Sequence, residues 1–446
     1  MTGSRIRVLA TAFAAVPGSS PHSAAMLSMV DALRADLDLV TVKTEELSHI
    51  KRMGEARMFR VPMGAATLAH QREIYTRAVG RQIEAEPYDV VHVFDPWAGV
   101  AAAARRRGFT LVYEIATFPD PDPDELELWL EAHEDTLAAA DRVIVPTEAA
   151  RAVLAKREGS TRVEVVAPGV DVGALDWAEV PRFGAARLLY LGPSSPARDL
   201  DTALAAVARI AALRPVRALF AGEPDRARQQ ALRDRVDALG LASVVEVRGE
   251  PSPQSVPGLI AAADVCLAPA SGFLAAGLCE LPQPLLEHLA CYRPVVAANV
   301  PGVSEIVRDE AEGLLVPPGD PAALADAVLE ILRDAVLRER LTDAGYRRAR
   351  DELSAGARRR RIRQVYESIA PGSQLLDPWR DNFEEVTGLI ELSTGLIEEL
   401  QGPSTQQMPA APAGEKPRPR PRRDDHPPTL DTQPGLIVPD TDPGNR

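Results

Sequence analysis

Short apolar runs alternating with helical patterns, in two separate series, restrict the possible folds of this chain more than any other feature. The first series falls at residues 6–10, 37–42, 90–94, 110–114, 142–146 and 163–166. The second falls at 187–191, 217–221, 244–248, 265–268, 294–297 and 313–316. Runs this short and this apolar, bounded by turn residues, suit parallel strands buried on both faces. The helical patterns between them supply the crossovers that parallel strands need. Met26, Val30 and Leu33 share one helical face between the first two runs, with Ser23 as the expected cap. The pattern restarts after a connection near 173–183, so residues 1–175 and 176–354 are expected to form two doubly wound α/β domains. Ligands of such sheets bind beyond the carboxyl ends of the strands, so two facing domains would create one cleft.

Composition removes several function classes. The chain has 446 residues, enough for two cores, and a formal net charge of −14, which disfavours nucleic acid as a partner. Only Lys43, Lys51, Lys156 and Lys416 are lysines, leaving few places for a Schiff base. Cys266, Cys279 and Cys291 form no CxxC pair and sit in apolar segments, as reduced thiols of a cytosolic protein do; neither a zinc site nor a disulfide frame is expected. Arg5 to Val16 reads as a first strand rather than a secretory leader. The apolar window 259–279 is interrupted by Asp264, Pro269 and Gly272, so it does not read as a membrane span. No dinucleotide fingerprint, P-loop, HExxH or nucleophile elbow occurs in the sequence.

The chain changes character after Ser354. Residues 355–372 read as an Arg-rich helix. Over 378–400, Phe383, Val386, Ile390, Ile397 and Leu400 recur at helical spacing among glutamates. That helix is expected to lie on the protein's own surface, with a protein partner or self-association through 381–400 as the alternative. Residues 401–446 hold 11 prolines and balanced charge, the composition of a disordered tail.

The most informative motif spans 279–319. The helical run Pro284-Leu285-Leu286-Glu287-His288-Leu289-Ala290 leads into the apolar strand Pro294-Val295-Val296-Ala297-Ala298. A Pro-Gly turn, Glu305 and a closing Gly-Leu-Leu-Val-Pro-Pro-Gly follow. This arrangement resembles the donor-binding half of retaining glycosyltransferases of family 4, the glycosyl transferases group 1, and the resemblance extends over roughly 5–365. It implies a GT-B fold, with two Rossmann-like domains facing a cleft and helix 355–372 crossing back to the first domain. It also implies transfer of a sugar from a nucleoside-diphosphate sugar to a glycan or lipid-linked acceptor. No metal or other cofactor is expected. The location implied is cytoplasmic, or peripheral at the inner face of a membrane.

In that family a Glu at the position of Glu287 holds the ribose hydroxyls. The first turns of a helix also favour a Glu through the dipole alone. The family's other Glu falls at Cys279, with Glu280 one residue later, and a subgroup Lys falls at Pro284. After the strand at 187–191, Gly192-Pro193-Ser194-Ser195-Pro196-Ala197-Arg198-Asp199 stands in place of the diphosphate loop. Pro193, Arg198 and Asp199 replace the family's Arg, Lys and Gly; Arg198 retains a charge able to pair with phosphate. Gly222, Glu223 and Arg248 end the next two strands and are expected to flank the base. Tyr292 replaces a usual glycine.

On the acceptor side, Gly18, Ser19, Ser20 and His22 form the loop expected to approach both sugars. His92 and Glu114 are the candidate catalytic residues, and Ala116 stands where relatives place Asn or His. Front-face transfer needs no protein nucleophile, because the leaving phosphate oxygen can take the acceptor's proton. The alternative to an active enzyme is a catalytically degenerate relative that serves as a binding or scaffold protein.

Overall fold

The structure is a computed structural model that describes residues 6–18, 20–33, 35–44, 47–53, 56–116, 123–158, 163–173, 175, 184–194, 198–271 and 283–371. The expected helix at 378–400 and tail at 401–446 lie outside them, as do Ser19, Cys279 and Glu280.

The first half runs β1 (Arg7–Ala15), α1 (Pro21–Ala32), β2 (Asp36–Lys43), β3 (Ile50–Met53), β4 (Ala56–Pro62), α2 (Leu68–Ala85), β5 (Val90–Val93) and α3 (Pro96–Ala103). It continues with β6 (Thr110–Glu114), α4 (Pro123–Ala139), β7 (Arg142–Val145), α5 (Glu148–Glu158) and β8 (Val163–Val165). Its sheet has the order β3-β4-β2-β1-β5-β6-β7-β8, and only β3 is antiparallel to its neighbour. The chain order reverses between β1 and β5, which places the crevice of this sheet above their carboxyl ends.

The second half runs β9 (Ala186–Leu191), α6 (Leu200–Leu213), β10 (Val216–Glu223), α7 (Arg226–Ala238), β11 (Val245–Gly249), α8 (Val256–Ala261) and β12 (Val265–Ala268). Then come α9 (Gln283–Ala290), β13 (Val295–Ala298), α10 (Val303–Ile306), β14 (Leu314–Val316), α11 (Pro321–Arg333) and α12 (Ala335–Asp351). The six strands are all parallel, in the order β11-β10-β9-β12-β13-β14, the doubly wound arrangement with its switch point between β9 and β12. β12 and β13 are wholly buried, as crossover helices on both faces require.

The last described helix, α13 (Ala355–Ile369), leaves the second half and packs on the first. Ile362, Val365 and Tyr366 join the core of Ile6, Val8 and Met29. Its entry is fixed by backbone exchange: Val170 N–H donates to Leu353 at 2.9 Å, and Ala355 N–H donates to Val170 at 2.8 Å. Among the described residues, no helix is long and apolar enough to cross a membrane.

The β3–β4 hairpin was not anticipated from the sequence, because its strands carry Lys51, Arg52, Arg57 and Arg60. Arg57 pairs bidentately with buried Asp38 on β2 at 2.7 Å. Buried Arg60 donates to the Val16 carbonyl through Nε and Nη2 at 3.2 and 3.1 Å, tethering the loop after β1. The cap of α1 also differs from expectation. Ser20 Oγ accepts from Ser23 N–H at 3.2 Å, whereas the Ser23 hydroxyl accepts from Gly18 N–H at 2.9 Å.

Candidate functional site

A cavity of about 250 Å³ opens where the strand ends of the first half meet α1, α13 and the start of α9. Its wall includes Pro21, Ser28 and Asp31 of α1, Glu114–Ala116 at the end of β6, and Gly169 and Asp171 of the connection. Arg358 and Arg359 of α13 complete that side. Gln283, one helical turn before Glu287, closes it from the second half.

Glu114 is 2 % exposed, and its charge is held by two partners, Arg358 and His92. Its Oε1 accepts from Arg358 Nη2. Its Oε2 faces His92 Nε2 at 3.2 Å, and His92 Nδ1 lies 2.9 Å from the Tyr366 hydroxyl. Burial pushes the Glu114 carboxyl up, but Arg358 and His92 outweigh it and hold the group down to about 2. His92 is fully buried and stacked on Phe94 at 4.6 Å. The two catalytic candidates are therefore in contact: Glu114 reaches the cavity, and His92 lies behind it.

The acceptor-side loop meets this cluster. His22, half-buried in the first turn of α1, donates to the Phe94 carbonyl. Burial lowers its imidazole to about 4 against the opposing pull of Glu114 and that carbonyl, so it is neutral at pH 7. Gly18 and Ser20 are committed to the α1 cap just described.

On the donor side, the ends of β9 and β10 touch. A Cβ on Gly222 would lie 2.4 Å from the Gly192 carbonyl carbon, and both glycines have left-handed φ, at 134° and 131°. Arg198 folds back over this contact; a Cβ on Gly192 would meet its Nη1 at 2.0 Å, and Nη1 donates to the Leu191 carbonyl at 3.4 Å. Glu223 is 1 % exposed and turned inward, its Oε1 accepting from Ser194 N–H at 2.8 Å. It braces the loop after β9. Arg248 lies apart, exposed on the edge strand β11 and paired with Glu246 at 2.6 Å along its own strand.

Asp199 is the N-cap of α6, accepting from the Thr202 hydroxyl at 2.7 Å and from its N–H at 3.3 Å. Its φ is 40°, which gives a physical reason for glycine at this position in the family it resembles. Tyr292, with φ 57°, turns the chain after α9 and sets its ring 5.8 Å from that of Tyr346.

Glu287 is half-buried on α9, and burial pushes its carboxyl up to about 7. Its neighbour His288 is fully enclosed and held down to about 3 by the same effect, so it is a neutral core residue. The sequence reading missed Asp31, Asp171, Gln283, Arg358 and Arg359 as cavity residues. They come from four separate segments and form no local motif. It also missed Glu305 of α10, whose carboxylate crosses to the first half and accepts from Glu148 and Ala149 N–H at 2.6 and 2.7 Å.

Comparison with known proteins agrees with this architecture. The family model for glycosyl transferases group 1 matches residues 185–334, and that for the glycosyl transferase 4-like domain matches 18–169. The chain is 31 % identical to a D-inositol 3-phosphate glycosyltransferase of a Nocardioides species, over 64 % of this chain and 69 % of that protein. It is 33 % identical to a phosphatidyl-myo-inositol mannosyltransferase of Mycobacterium leprae, over 48 % and 55 %. Among solved structures, sucrose-phosphate synthase of Thermosynechococcus elongatus superposes with a TM-score of 0.71 at 20 % identity, over 82 % of this chain and 99 % of that one. Anabaena HepE in complex with UDP-glucose gives 0.66 at 16 %, over 82 % and 100 %. Two doubly wound sheets, a helix returning from the second half to the first, and relatives aligned across both halves lead to one assignment: the chain belongs to the group 1 glycosyl transferases and is a glycosyltransferase with the GT-B fold.

Proposed function

We propose that the protein transfers a sugar, with retention, from a nucleoside-diphosphate sugar to a hydroxyl of a glycan or glycoconjugate. The observation that carries this reading is the placement of α9. Its amino end borders the cavity through Gln283, and its half-buried Glu287 lies one turn further on. In this reading the ribose hydroxyls donate to Glu287, and the diphosphate lies between the α9 amino end and Arg198. Gly192 and Gly222, at the ends of β9 and β10, let those strand ends close on each other beneath Arg198.

Stabilising the departing diphosphate and holding the acceptor hydroxyl on the same face of the sugar would then supply most of the acceleration. The leaving phosphate oxygen takes the acceptor's proton. Ionised Glu114 borders the cavity and neutral His22 lies near Glu114; both would orient the acceptor. Similarity to transferases across both halves favours catalysis over the non-catalytic alternative.

Calorimetric titration with UDP and GDP tests the donor assignment. Micromolar binding of one of them, weakened about tenfold or more by Glu287→Ala and by Arg198→Ala, is expected, since a charge-assisted hydrogen bond contributes about 1.5–3 kcal/mol. Absence of heat with either nucleotide would overturn it.

A further inference from the structure

The charges around the cavity restrict which acceptor it can hold. Asp31, Glu114 and Asp171 share its wall with Arg358 and Arg359, three carboxylates against two guanidiniums. Both cations are already engaged. Arg358 closes on Glu114 and donates to the Val166 and Ala167 carbonyls at 3.4 and 3.3 Å. Arg359 faces Asp31; burial pushes that carboxyl up to about 6, with Arg359 opposing and Asp171 reinforcing the shift.

Helix amino ends are the other usual hosts for anions; that of α9 is assigned above to the donor's diphosphate, and those of α1, α13 and α5 are filled from within the protein. Ser20 caps α1. Ser354 Oγ accepts from Ala357 N–H at 3.2 Å on α13, where Ala355 N–H is spent on Val170. The first amides of α5, just past the cavity residues Val145 and Pro146, carry the Glu305 carboxylate.

A phosphate entering this space would meet surplus negative charge and donors already in use. A hydroxyl-rich ring would find carboxylate oxygens and the Ser28 hydroxyl for its O–H groups, and apolar walls such as Ala25 and Ile115 for its C–H faces. About 250 Å³ is less than the roughly 300–1,000 Å³ of drug-sized sites and suits a single ring. We infer that this cavity is the acceptor's ring subsite, and that it selects an uncharged, hydroxyl-rich ring over a phosphorylated one, with Asp31 and Asp171 receiving the ring hydroxyls. The inference rests on the transfer reaction proposed above and sets this chain apart from relatives named for an inositol phosphate.

The probes are inositol and D-inositol 3-phosphate, titrated by saturation-transfer NMR into the full chain with and without UDP. Inositol is expected to bind at least tenfold more tightly than its phosphate. Asp31→Asn and Asp171→Asn should each weaken inositol about tenfold and leave UDP affinity within twofold. Equal or tighter binding of the phosphate, binding of neither ring, or Asn variants that hold inositol as well as the parent would each overturn it. The comparison of probes on the unmodified chain stands even if a variant folds poorly. Failure of the donor assignment is distinguishable, since it shows as loss of UDP binding with ring preference still measurable.

Discussion

Arg358 and Glu114 lie 244 positions apart in the chain and close as a buried ion pair against the cavity. Through Arg358 and Tyr366, helix α13 sets the charge of Glu114 and the hydrogen bonding of His92 in a domain whose sheet ended long before it. The helix is thus part of the electrostatics of the cavity as well as of the core of the first half.

Removing either charge alone exposes the other to an apolar surrounding, which typically costs about 3–5 kcal/mol. Arg358→Met should therefore destabilise more than the double variant Arg358→Met/Glu114→Gln, as read by urea unfolding. The pH dependence follows from the depressed carboxyl. Ionised Glu114 contributes stability that is fully present above its ordinary 4.5 and is lost as pH falls through about 2. The stability gap between the parent and Glu114→Gln should narrow over that window; a constant gap would contradict the pairing.

Glu305 joins the two halves at a second point. Its carboxylate accepts two amides at the start of α5, while Arg348 donates to its carbonyl at 2.7 Å. Glu305→Ala should lower stability by about 1–3 kcal/mol, allowing for partial exposure. It should also loosen domain closure, raising KM for the donor more than it lowers kcat. Small-angle scattering should show a larger radius of gyration for the variant. An unchanged radius together with unchanged KM would confine Glu305 to local capping.

The fold was legible where burial dictates sequence. Strands such as Val265–Ala268 and Val295–Ala298 are enclosed on both faces and had to be apolar throughout. The β3–β4 hairpin was not legible, because it lies at the sheet edge and carries arginines whose partners, Asp38 and the Val16 carbonyl, are distant in sequence. Glu287, Gly192 and Gly222 could be singled out from the sequence because neighbouring residues form a motif. The roles of Asp199 and Glu223 could not: a carboxylate that caps a helix and one that braces a loop look the same in sequence as one that meets a ligand. The cavity was the least legible part. Asp31, Asp171 and Arg359 meet only when α13 returns to the first half.

Asp199 offers a test of backbone geometry against charge. Its left-handed φ costs an alanine about 1 kcal/mol, and loss of the Thr202 contacts costs about another 1 kcal/mol. Asp199→Ala should thus lose about 2 kcal/mol by urea unfolding, whereas Asp199→Gly, free of the backbone penalty, should stay within about 1 kcal/mol of the parent. Both variants remove a negative charge next to Arg198 in sequence, so nucleoside-diphosphate affinity should rise a few-fold in each. Equal destabilisation by Ala and Gly would show that the left-handed backbone carries no cost here.

In the proposed donor site, Glu287 should make nucleotide binding depend on pH in a defined direction. Burial raises its carboxyl from 4.5 to about 7, so the unliganded fold favours the protonated form, and its stability falls as pH rises between those values. Ribose hydroxyls donate best to the ionised form, so binding should release a proton near neutrality. UDP or GDP affinity is then expected to climb toward tenfold per unit below pH 7 and to level off above pH 8. Glu287→Gln should bind more weakly, with a nearly flat profile and no proton release. Calorimetry in two buffers of different ionisation enthalpy measures both quantities. A flat profile in the parent chain would remove Glu287 from the ribose contact, even if nucleotide still bound.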